Sequence, residues 1–170
     1  MKKITIRSIT LDDTKNIVKW RNSVAVRKNL YSQQELTEDQ HISYFEKYIS
    51  TKKTYQFVIL EDASPIGTVF LKNVDAFSKN AEFGIFIGEP SARGKGYSYE
   101  ATKQILKFAF DELNLDKIVL SVFSDNIPAK KTYEKIGFRT DYVKSEFFEH
   151  KNGIVEISFM SITKKAFTNS

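Results

Sequence analysis

Cysteine is absent from all 170 residues of the chain, which excludes disulfides, thiolate metal ligands and a cysteine nucleophile. Any reaction that the protein catalyses must therefore proceed without a covalent intermediate on a cysteine. Histidine is nearly as rare, and His41 and His150 are too far apart in sequence to form a known metal-binding spacing. The sequence predicts a protein that binds no metal.

Long apolar runs are also missing. No stretch of about 18 apolar residues could span a membrane, and residues 1–7 lack the apolar region of a secretory signal. We therefore expect a cytoplasmic protein with no membrane partner. The chain has the length of one ordinary domain, with 41% hydrophobic residues, and it contains no repeat or linker. Residues 1–170 are expected to form a single domain.

The sequence has no dense cluster of positive or negative charge. The net charge of +5 is modest, and the lysines are spread along the chain. Such a balance suits nucleic acid, CoA phosphates or a nucleotide-linked substrate equally. A nucleic-acid binder would show a basic stripe interleaved with exposed aromatic residues, whereas the aromatic residues here fall at periodic, core-like positions. This pattern argues against nucleic acid as a partner. A homodimer remains possible.

The most informative segment is Arg-Gly-Lys-Gly-Tyr-Ser at residues 93–98. It lies between a strand-like run at 81–87 and an amphipathic stretch at 99–113. Glycines at a strand-to-helix turn let the backbone approach a ligand, and the first amides of a helix lack partners within it, so the segment predicts a pyrophosphate cradle. It lacks the ending of a Walker A loop and the three glycines of a dinucleotide fingerprint. By itself it is equally typical of a solvated basic turn.

Two further segments support the cradle. Residues 81–87 read Ala-Glu-Phe-Gly-Ile-Phe-Ile, and Ser-Asp-Asn-Ile-Pro-Ala at 124–129 precedes Tyr-Glu-Lys-Ile-Gly-Phe at 133–138. With these motifs in this order, nearly the whole chain resembles the GNAT superfamily of acetyl-CoA-dependent N-acetyltransferases. In that family an Arg/Gln-x-x-Gly-x-Gly/Ala loop holds the CoA pyrophosphate, and it corresponds here to Arg93, Gly96 and Ser98. Ser98 replaces the usual Gly or Ala, but it is small and keeps its backbone donor.

The resemblance implies acetyl-CoA as co-substrate and predicts where it binds. In the family, pantetheine lies where the strand before the loop separates from its neighbour, and it bonds to the strand much as an added strand would. Gly84 to Ile87 are the matching positions, and Gly84 is either a weak strand position or a bulge. The implied cofactor-binding residues are Phe86, Ile87, Arg93, Gly94, Lys95, Gly96, Tyr97, Ser98, Asn126 and Lys130.

Acetyl transfer to an amine needs a neutral amine, a polarised carbonyl and a proton for the departing thiolate. Tyr133 follows Asn126 by two helical turns, so the two share nearly one helix face. The resemblance implies that Tyr133 protonates the CoA sulfur, that Glu82 is the general base through water, and that amides near Phe86 or Ile87 polarise the carbonyl. The alternatives are that Tyr133 only packs, that Asn126 only caps its helix, and that a water chain replaces Glu82.

The acceptor is suggested by Trp20-Arg21-Asn22. With Arg27 and His41, this segment resembles the amino-sugar N-acetyltransferases that act on UDP-linked 4-amino-4,6-dideoxy sugars, such as those of pseudaminic acid biosynthesis. We therefore expect a nucleotide-linked amino sugar bound by Arg21, Asn22, Arg27 and His41, because arginine and histidine suit a diphosphate and a uracil ring. The alternative is that these side chains do not bind the acceptor. Arg21 would then form an ion pair with a nearby acid, and His41 would be exposed on a helix.

Other acceptors stay open because related Trp-x-x patterns occur in enzymes that acetylate polyamines and ribosomal-protein N-termini. A polyamine would require an acidic cleft, for which Glu35, Glu38, Asp39 and Glu46 are candidates. A peptide would require an open groove beside the loops at 142–152. A non-catalytic CoA-binding module is the alternative from a different class, and the presence of both Tyr133 and Glu82 argues against it.

Periodicity and turn residues predict the α/β (α+β) class and, with the resemblance, the GNAT fold. We expect a mixed, largely antiparallel central sheet of about seven strands with helices on both faces. The predicted strands cover residues 4–9, 55–60, 66–74, 81–87, 117–123, 138–148 and 154–163. The predicted helices cover 10–20, 37–49 and 99–113, with a further helix from Asn126 to a glycine cap at Gly137. Residues 21–36 are predicted to be a polar loop.

Overall fold

Seven strands form one sheet in the computed structural model, which describes residues 2–170. They are β1 (Ile4–Ser8), β2 (Tyr55–Glu61), β3 (Ser64–Asp75), β4 (Asn80–Ile87), β5 (Lys117–Phe123), β6 (Arg139–Phe148) and β7 (Gly153–Thr163). The order in the sheet is β1-β2-β3-β4-β5-β7-β6. Only β4 and β5 pair in parallel, and the other neighbours are antiparallel. The predicted mixed, largely antiparallel sheet is therefore confirmed.

The helices of residues 2–170 lie between these strands, except the last helix, which follows β7. They are α1 (Thr14–Asn22), α2 (Val24–Arg27), α3 (Glu38–Tyr44), α4 (Tyr97–Asp111), α5 (Ile127–Ile136) and α6 (Lys164–Thr168). Helix α3 continues as a π-helical turn at Phe45–Ile49, and Thr37 caps it by accepting a hydrogen bond from the Gln40 amide at 3.2 Å. Within this part of the chain, no helix has both the length and the apolar character needed to cross a membrane.

The two faces of the sheet bury separate apolar clusters. Side chains alternate along a strand, so neighbouring β4 residues serve different clusters. Phe83 belongs to the larger cluster beneath α4 and α5, together with Ile105 and Tyr133. Phe86 packs against the smaller cluster, which includes Trp20 of α1. Helices therefore cover both faces of the sheet, as predicted. The side chains on the two faces of β4 pack against different apolar clusters.

The predicted loop at residues 21–36 is wrong in its first part. Helix α1 runs past Trp20 to Asn22, and α2 follows after a single extended residue, Ser23. The Ser23 hydroxyl accepts a hydrogen bond from the Val26 amide at 3.4 Å, which is the contact expected of an N-cap. Serine is common both after the end of a helix and as the N-cap of a new one. The sequence alone did not distinguish these two roles for Ser23, so helix α2 was not predicted.

Gly84 is not a bulge. It pairs with Phe70 inside an uninterrupted stretch of the β3–β4 ladder, and the register shift of that ladder falls between Lys72 and Asp75. A Cβ on Gly84 would lie 2.2 Å from the Phe70 ring. Glycine is required here because the neighbouring phenyl ring fills the space above it.

Candidate active site

The loop at residues 93–98 joins β4 to α4 through a short 3₁₀ turn (Pro90–Ala92). Gly94 and Gly96 have φ values of +72° and +78°, which side chains rarely adopt. A Cβ at either glycine would meet nothing within 4 Å, so the loop surface is open. Within residues 2–170, no backbone amide from Gly94 to Ser98 donates a hydrogen bond to another part of the chain. Free amides at a helix N-terminus fit a pyrophosphate.

The Arg93 side chain supports this loop from below. Its Nε donates a hydrogen bond to the Ile87 carbonyl at 3.1 Å, and its Nη2 donates one to the Gly88 carbonyl at 2.6 Å. From the other face, the Trp20 ring lies against Gly88, and its indole donates to the Glu89 carboxylate at 2.7 Å. The end of β4 is thus fixed on both sides. Arg93 therefore holds the end of β4 in place, and its role in binding the pyrophosphate stays a prediction.

Lys95 and Tyr97 share one carboxylate. The Tyr97 hydroxyl donates a hydrogen bond to Glu61, and the Lys95 ammonium lies 3.9 Å from the same group. The bond from Tyr97, followed by the nearby lysines, holds the pKa of Glu61 below its usual range. Glu61 therefore stays ionised and keeps a lysine beside the cradle, where its charge favours an anionic ligand.

Strands β4 and β5 separate next to this loop. They pair only at Asn80–Glu82 with Lys117–Val119. Beyond that point β4 pairs with β3 alone, and β5 pairs with β7 alone. Backbone groups of residues 83–87 that face away from β3 therefore have no partner strand. An extended ligand that carries amides could bond to this edge as an added strand, and the predicted separation of the strands is confirmed.

Tyr133 lies where the opening begins. It projects from α5, is 9% exposed, and meets the Phe83 ring edge-on with the centroids 5.8 Å apart. Within residues 2–170, the Tyr133 hydroxyl forms no hydrogen bond with another side chain. Burial raises the pKa of Tyr133, so the hydroxyl keeps its proton at neutral pH. A protonated hydroxyl with no internal partner, at the end of an otherwise buried side chain, is suited to give a proton to a departing thiolate.

Asn126 and Lys130 lie on the same helix, before Tyr133. The Asn126 side chain accepts a hydrogen bond from the Ala129 amide at 3.4 Å, so the alternative role of helix cap is present. The Lys130 amide donates to the Asn126 carbonyl at 3.1 Å. Both side chains are only half-buried. Their amide and ammonium groups remain accessible to a ligand that enters beside α5.

Glu82 lies on the opposite face of the sheet from Tyr133. It is the last β4 residue paired with β5, and because side chains alternate it points away from the cluster of Phe83. Its side chain is 32% exposed and lies 3.1 Å from the Lys72 ammonium, while the Asn73 amide donates to it at 3.2 Å. The two proposed catalytic groups therefore approach the opening from opposite sides.

Tyr31 reaches this second face, and the sequence interpretation missed it. The loop between α2 and α3 carries Tyr31 across β5, where its hydroxyl donates a hydrogen bond to Ser121 at 2.7 Å. Its ring stacks on Phe148 with centroids 5.6 Å apart and meets Phe123 edge-on at 5.2 Å. Burial raises the pKa of Tyr31, and the nearby charge of Glu82 adds to the effect. Tyr31 thus forms a wall beside the opening.

Asn22 and Arg27 hold the loop that carries Tyr31. The Asn22 amide group donates to the Leu36 carbonyl and accepts from the Leu36 amide, both at 2.8 Å. Arg27 pairs with Glu35 at 3.3 Å. Both side chains were predicted to bind the acceptor directly. In the structure both side chains hold the shape of this loop, and their direct contact with an acceptor stays a prediction.

Arg21 is the least satisfied charged group of this region. Its Nη2 donates a long hydrogen bond of 3.4 Å to the Ser32 carbonyl, and its buried Nη1 has no partner among residues 2–170. Burial, and then the charge of Arg27, lower the pKa of Arg21. No acid pairs with it in the described part of the chain, so the alternative of a local ion pair is not supported.

The described geometry combines an anion cradle, a split between parallel strands and a buried tyrosine at the split. The family described as acetyltransferase (GNAT) domain matches residues 3–139. The chain belongs to this GNAT acetyltransferase family. It is therefore an N-acetyltransferase that uses acetyl-CoA, and the predicted family, fold and co-substrate are confirmed.

Individual members of the GNAT family resemble this chain over most of its length. Spermidine N(1)-acetyltransferase of Vibrio cholerae is 30% identical over 148 residues, which are 85% of this chain and 84% of that protein. Acetyltransferase PseH of Campylobacter jejuni is 27% identical over 134 residues, which are 79% of this chain and 81% of that protein. The crystal structure of spermidine N-acetyltransferase from Vibrio cholerae with CoA and spermine matches with a TM-score of 0.91 and 26% identity, covering 98% of each chain.

These relatives favour the polyamine alternative over the expected amino sugar. Several solved structures of the Vibrio cholerae spermidine enzyme resemble this GNAT chain, and one of them is described as dodecameric. Among its sequence relatives, the spermidine N(1)-acetyltransferases of Escherichia coli and Vibrio cholerae are 26% and 30% identical to it. The sugar expectation rested on Trp20-Arg21-Asn22 and its neighbours, and two of those side chains are engaged in holding a loop.

His41 is not brought to the site of this GNAT enzyme. Its side chain is 3% exposed, and its Nδ1 lies 3.0 Å from the Thr14 hydroxyl between α3 and α1. Burial lowers the pKa of His41, so the ring stays neutral at neutral pH. We therefore leave His41 out of the acceptor site, and the alternative of an exposed helix residue is also wrong. Residues 2–170 hold no group of three or more histidine and carboxylate side chains that could bind a metal.

Proposed function

We propose that the enzyme transfers the acetyl group of acetyl-CoA directly to a primary amine of a polyamine while both substrates are bound. The observation that carries this proposal is the opening between β4 and β5, which has Tyr133 on one face and Glu82 on the other. The co-substrate reaches the opening from the cradle at residues 93–98. The amine approaches from the face that carries Glu82 and Tyr31.

The proposed reaction is a single displacement. The amine nitrogen bonds to the acetyl carbonyl carbon, the carbon–sulfur bond breaks, and Tyr133 gives its proton to the sulfur of CoA. The proton released by the amine passes to Glu82, directly or through water, or to bulk water. Backbone amides of β4 near Phe86 and Ile87 would polarise the carbonyl. The chain has no cysteine that could accept the acetyl group as a thioester.

The surroundings of Tyr31 suit a cationic, flexible amine. The negative charges of Glu82 and Glu146 both act on the Tyr31 hydroxyl, so two carboxylates lie near it. Aromatic faces attract ammonium groups, and Tyr31 and Phe148 provide such faces in an open depression of about 510 Å³. A chain of methylenes and ammonium groups can lie along this wall with one terminal amine directed at the opening.

The test is the release of free thiol from acetyl-CoA in the presence of candidate amines. Spermidine and spermine, UDP-linked amino sugars and peptides with free N-termini would be supplied in parallel, and the protein itself contributes no thiol. The proposal predicts turnover with the polyamines, and the Gly96→Glu variant serves as a control because its cradle is blocked. Turnover with another acceptor alone would refute the polyamine assignment and keep the amine acetyltransferase.

A nucleotide-linked amino sugar is the second candidate, and the buried Nη1 of Arg21 is the observation that favours it. An unpartnered guanidinium beside an acceptor site favours an anionic group and disfavours a polycation. Replacement by methionine would separate the two acceptors. The Arg21→Met variant should lose activity at least about tenfold toward a diphosphate-linked amine, and it should retain or improve activity toward spermidine.

A further inference from the structure

A histidine in the turn between β6 and β7 has a buried nitrogen without a hydrogen-bond partner. His150 lies in the 3₁₀ turn at Glu149–Lys151. Its Nε2 is buried and forms no hydrogen bond with any group of residues 2–170. Buried polar atoms are nearly always hydrogen-bonded, and an exception in a folded protein calls for an explanation. A ligand that bonds to Nε2 is one such explanation.

Two aromatic rings hold the imidazole in place. The ring of His150 meets Phe123 edge-on with the centroids 6.0 Å apart, and it meets Phe148 edge-on at 5.7 Å. A phenyl ring offers no conventional hydrogen-bonding atom. Packing therefore sets the orientation of the imidazole, and its nitrogen is left for another partner.

His150 belongs to the acceptor side of the enzyme. It lines the depression of about 510 Å³ that Tyr31 and Phe148 also line. Tyr31 reaches β5 at Ser121, and Phe123, on which the imidazole packs, is the last residue of that strand. Residues two apart on a strand are separated by about 7 Å. The imidazole thus packs at the end of β5, and Tyr31 contacts the strand one such step earlier.

The charges next to His150 favour a cation in the depression. Glu149 lines the same depression and is exposed. On the other side, the Lys151 ammonium lies 3.6 Å from the Asp125 carboxylate and over the Phe123 ring, so its charge is balanced locally. An ammonium group that enters the depression therefore meets a carboxylate and aromatic faces, both of which attract it.

We propose that Nε2 of His150 accepts a hydrogen bond from an ammonium group of the acceptor other than the one that is acetylated. The inference rests on the polyamine acceptor proposed above. An imidazole that carries its proton on Nδ1 has a lone pair at Nε2 and can accept such a bond. The bond satisfies the buried nitrogen, and a charged donor makes it stronger than a neutral donor would.

A second ammonium group is the partner because of the spacing along the wall. In a polyamine a few methylene groups separate one nitrogen from the next. The terminal amine can then lie at the opening between β4 and β5 while another nitrogen lies further along the wall, beside His150. His150 thus selects acceptors that carry a second cation at this distance, and it takes no part in the proton transfers of the reaction.

Two variants separate hydrogen bonding from packing. His150→Phe keeps an aromatic ring against Phe123 and Phe148 and removes the nitrogen. His150→Gln loses the ring and keeps an acceptor atom, the side-chain oxygen, near the position of Nε2. A residue that only packs would tolerate phenylalanine better than glutamine. A residue that binds the acceptor through its nitrogen would show the opposite order.

The wild type and both variants would be assayed with spermidine and with an ether monoamine of the same chain length, in which oxygen atoms replace the two other nitrogens. The wild type should favour spermidine in kcat/KM. His150→Phe should raise the KM for spermidine at least about tenfold and change the KM for the monoamine little. His150→Gln should keep most of the preference for spermidine. The Kd of acetyl-CoA, measured by calorimetry, should be the same in all three proteins.

The outcomes distinguish this inference from the proposed function. An unchanged KM for spermidine in His150→Phe would overturn the inference and leave the polyamine acceptor in place. An equal loss for both acceptors would also overturn it, because a packing defect does not distinguish them. A wild type that does not acetylate spermidine would overturn the polyamine acceptor and, with it, the role of His150.

Discussion

The Tyr31 hydroxyl donates a hydrogen bond of 2.7 Å to the Ser121 hydroxyl. This contact joins a loop near the N-terminus to β5, at the point where β5 has already separated from β4. It explains why Asn22 and Arg27 are engaged with the loop, since the loop must be held in one shape for Tyr31 to reach Ser121. The acceptor face of the opening depends on that shape.

Replacement of Tyr31 should affect the acceptor and spare acetyl-CoA. Tyr31→Ala removes the aromatic wall and the bond to Ser121, so we expect the KM for the amine to rise at least about tenfold. Tyr31→Phe removes only the hydrogen bond, and a rise of a few-fold is expected. Steady-state kinetics measure both. An unchanged KM in Tyr31→Ala would place the amine elsewhere.

Replacement of Tyr133 should affect turnover and spare affinity. Tyr133→Phe keeps the ring against Phe83 and removes the proton donor, so kcat should fall about 100-fold, a usual effect of losing a general acid. The Kd of acetyl-CoA, measured by calorimetry, should change little.

The control for this variant is Tyr48→Phe, which removes a hydroxyl from the π-helical turn at Phe45–Ile49. It should keep the wild-type kcat. If Tyr133→Phe also turned over at the wild-type rate, water or another group would have to protonate the sulfur.

Gly96 tests the position of the cradle. Gly96→Glu adds a negative charge to a surface that should hold a pyrophosphate, in a conformation with φ of +78° that disfavours any side chain. Acetyl-CoA binding should be lost in calorimetry. Gly96→Ala introduces the same backbone strain without the charge, so it should keep measurable binding. Retained affinity in Gly96→Glu would mean that the pyrophosphate lies elsewhere.

Asp13 gives a prediction for stability. It accepts hydrogen bonds of 2.8 Å from both Arg7 terminal nitrogens and from the Thr10 amide, and chiefly the Arg7 bonds lower the pKa of Asp13 in the folded state. A carboxyl whose folded pKa lies below its unfolded value stabilises the fold above the unfolded pKa of about 3.9. That contribution disappears as the pH falls through the folded pKa.

Asp13→Asn should therefore lower the free energy of unfolding by about 2 kcal/mol at pH 7. Urea unfolding from pH 7 down to pH 2.5 would measure the difference between variant and wild type. The difference should shrink below about pH 4. A constant difference across this range would show that the loss comes from altered packing and not from the charge.

Local chemistry was sufficient to predict much of the fold. Strand β5 covers residues 117–123 as expected, because an apolar β-branched run has few alternatives. Gly137 adopts a φ of +118° at the end of α5, as its predicted role of helix cap requires. The loop at 93–98 was predicted because its glycines and flanking elements are contiguous in sequence.

The acceptor side could not be predicted in the same way. Tyr31 lies in a polar loop, and the residues that give it a role, Ser121 and Phe148, are distant in sequence. His41 has the sequence surroundings of an exposed helix residue, and only the packing of α3 on α1 buries it. A polar residue in sequence does not show whether it faces a ligand or another part of the chain.

The most direct test of the account is the initial rate of CoA release, measured while acetyl-CoA and spermidine are varied together. Transfer within one opening, with acid and base on opposite faces and no cysteine to hold the acetyl group, requires both substrates to be bound at once. We predict double-reciprocal lines that intersect, and no CoA release without the amine. Parallel lines, or CoA release that is independent of the amine, would contradict direct transfer at this site.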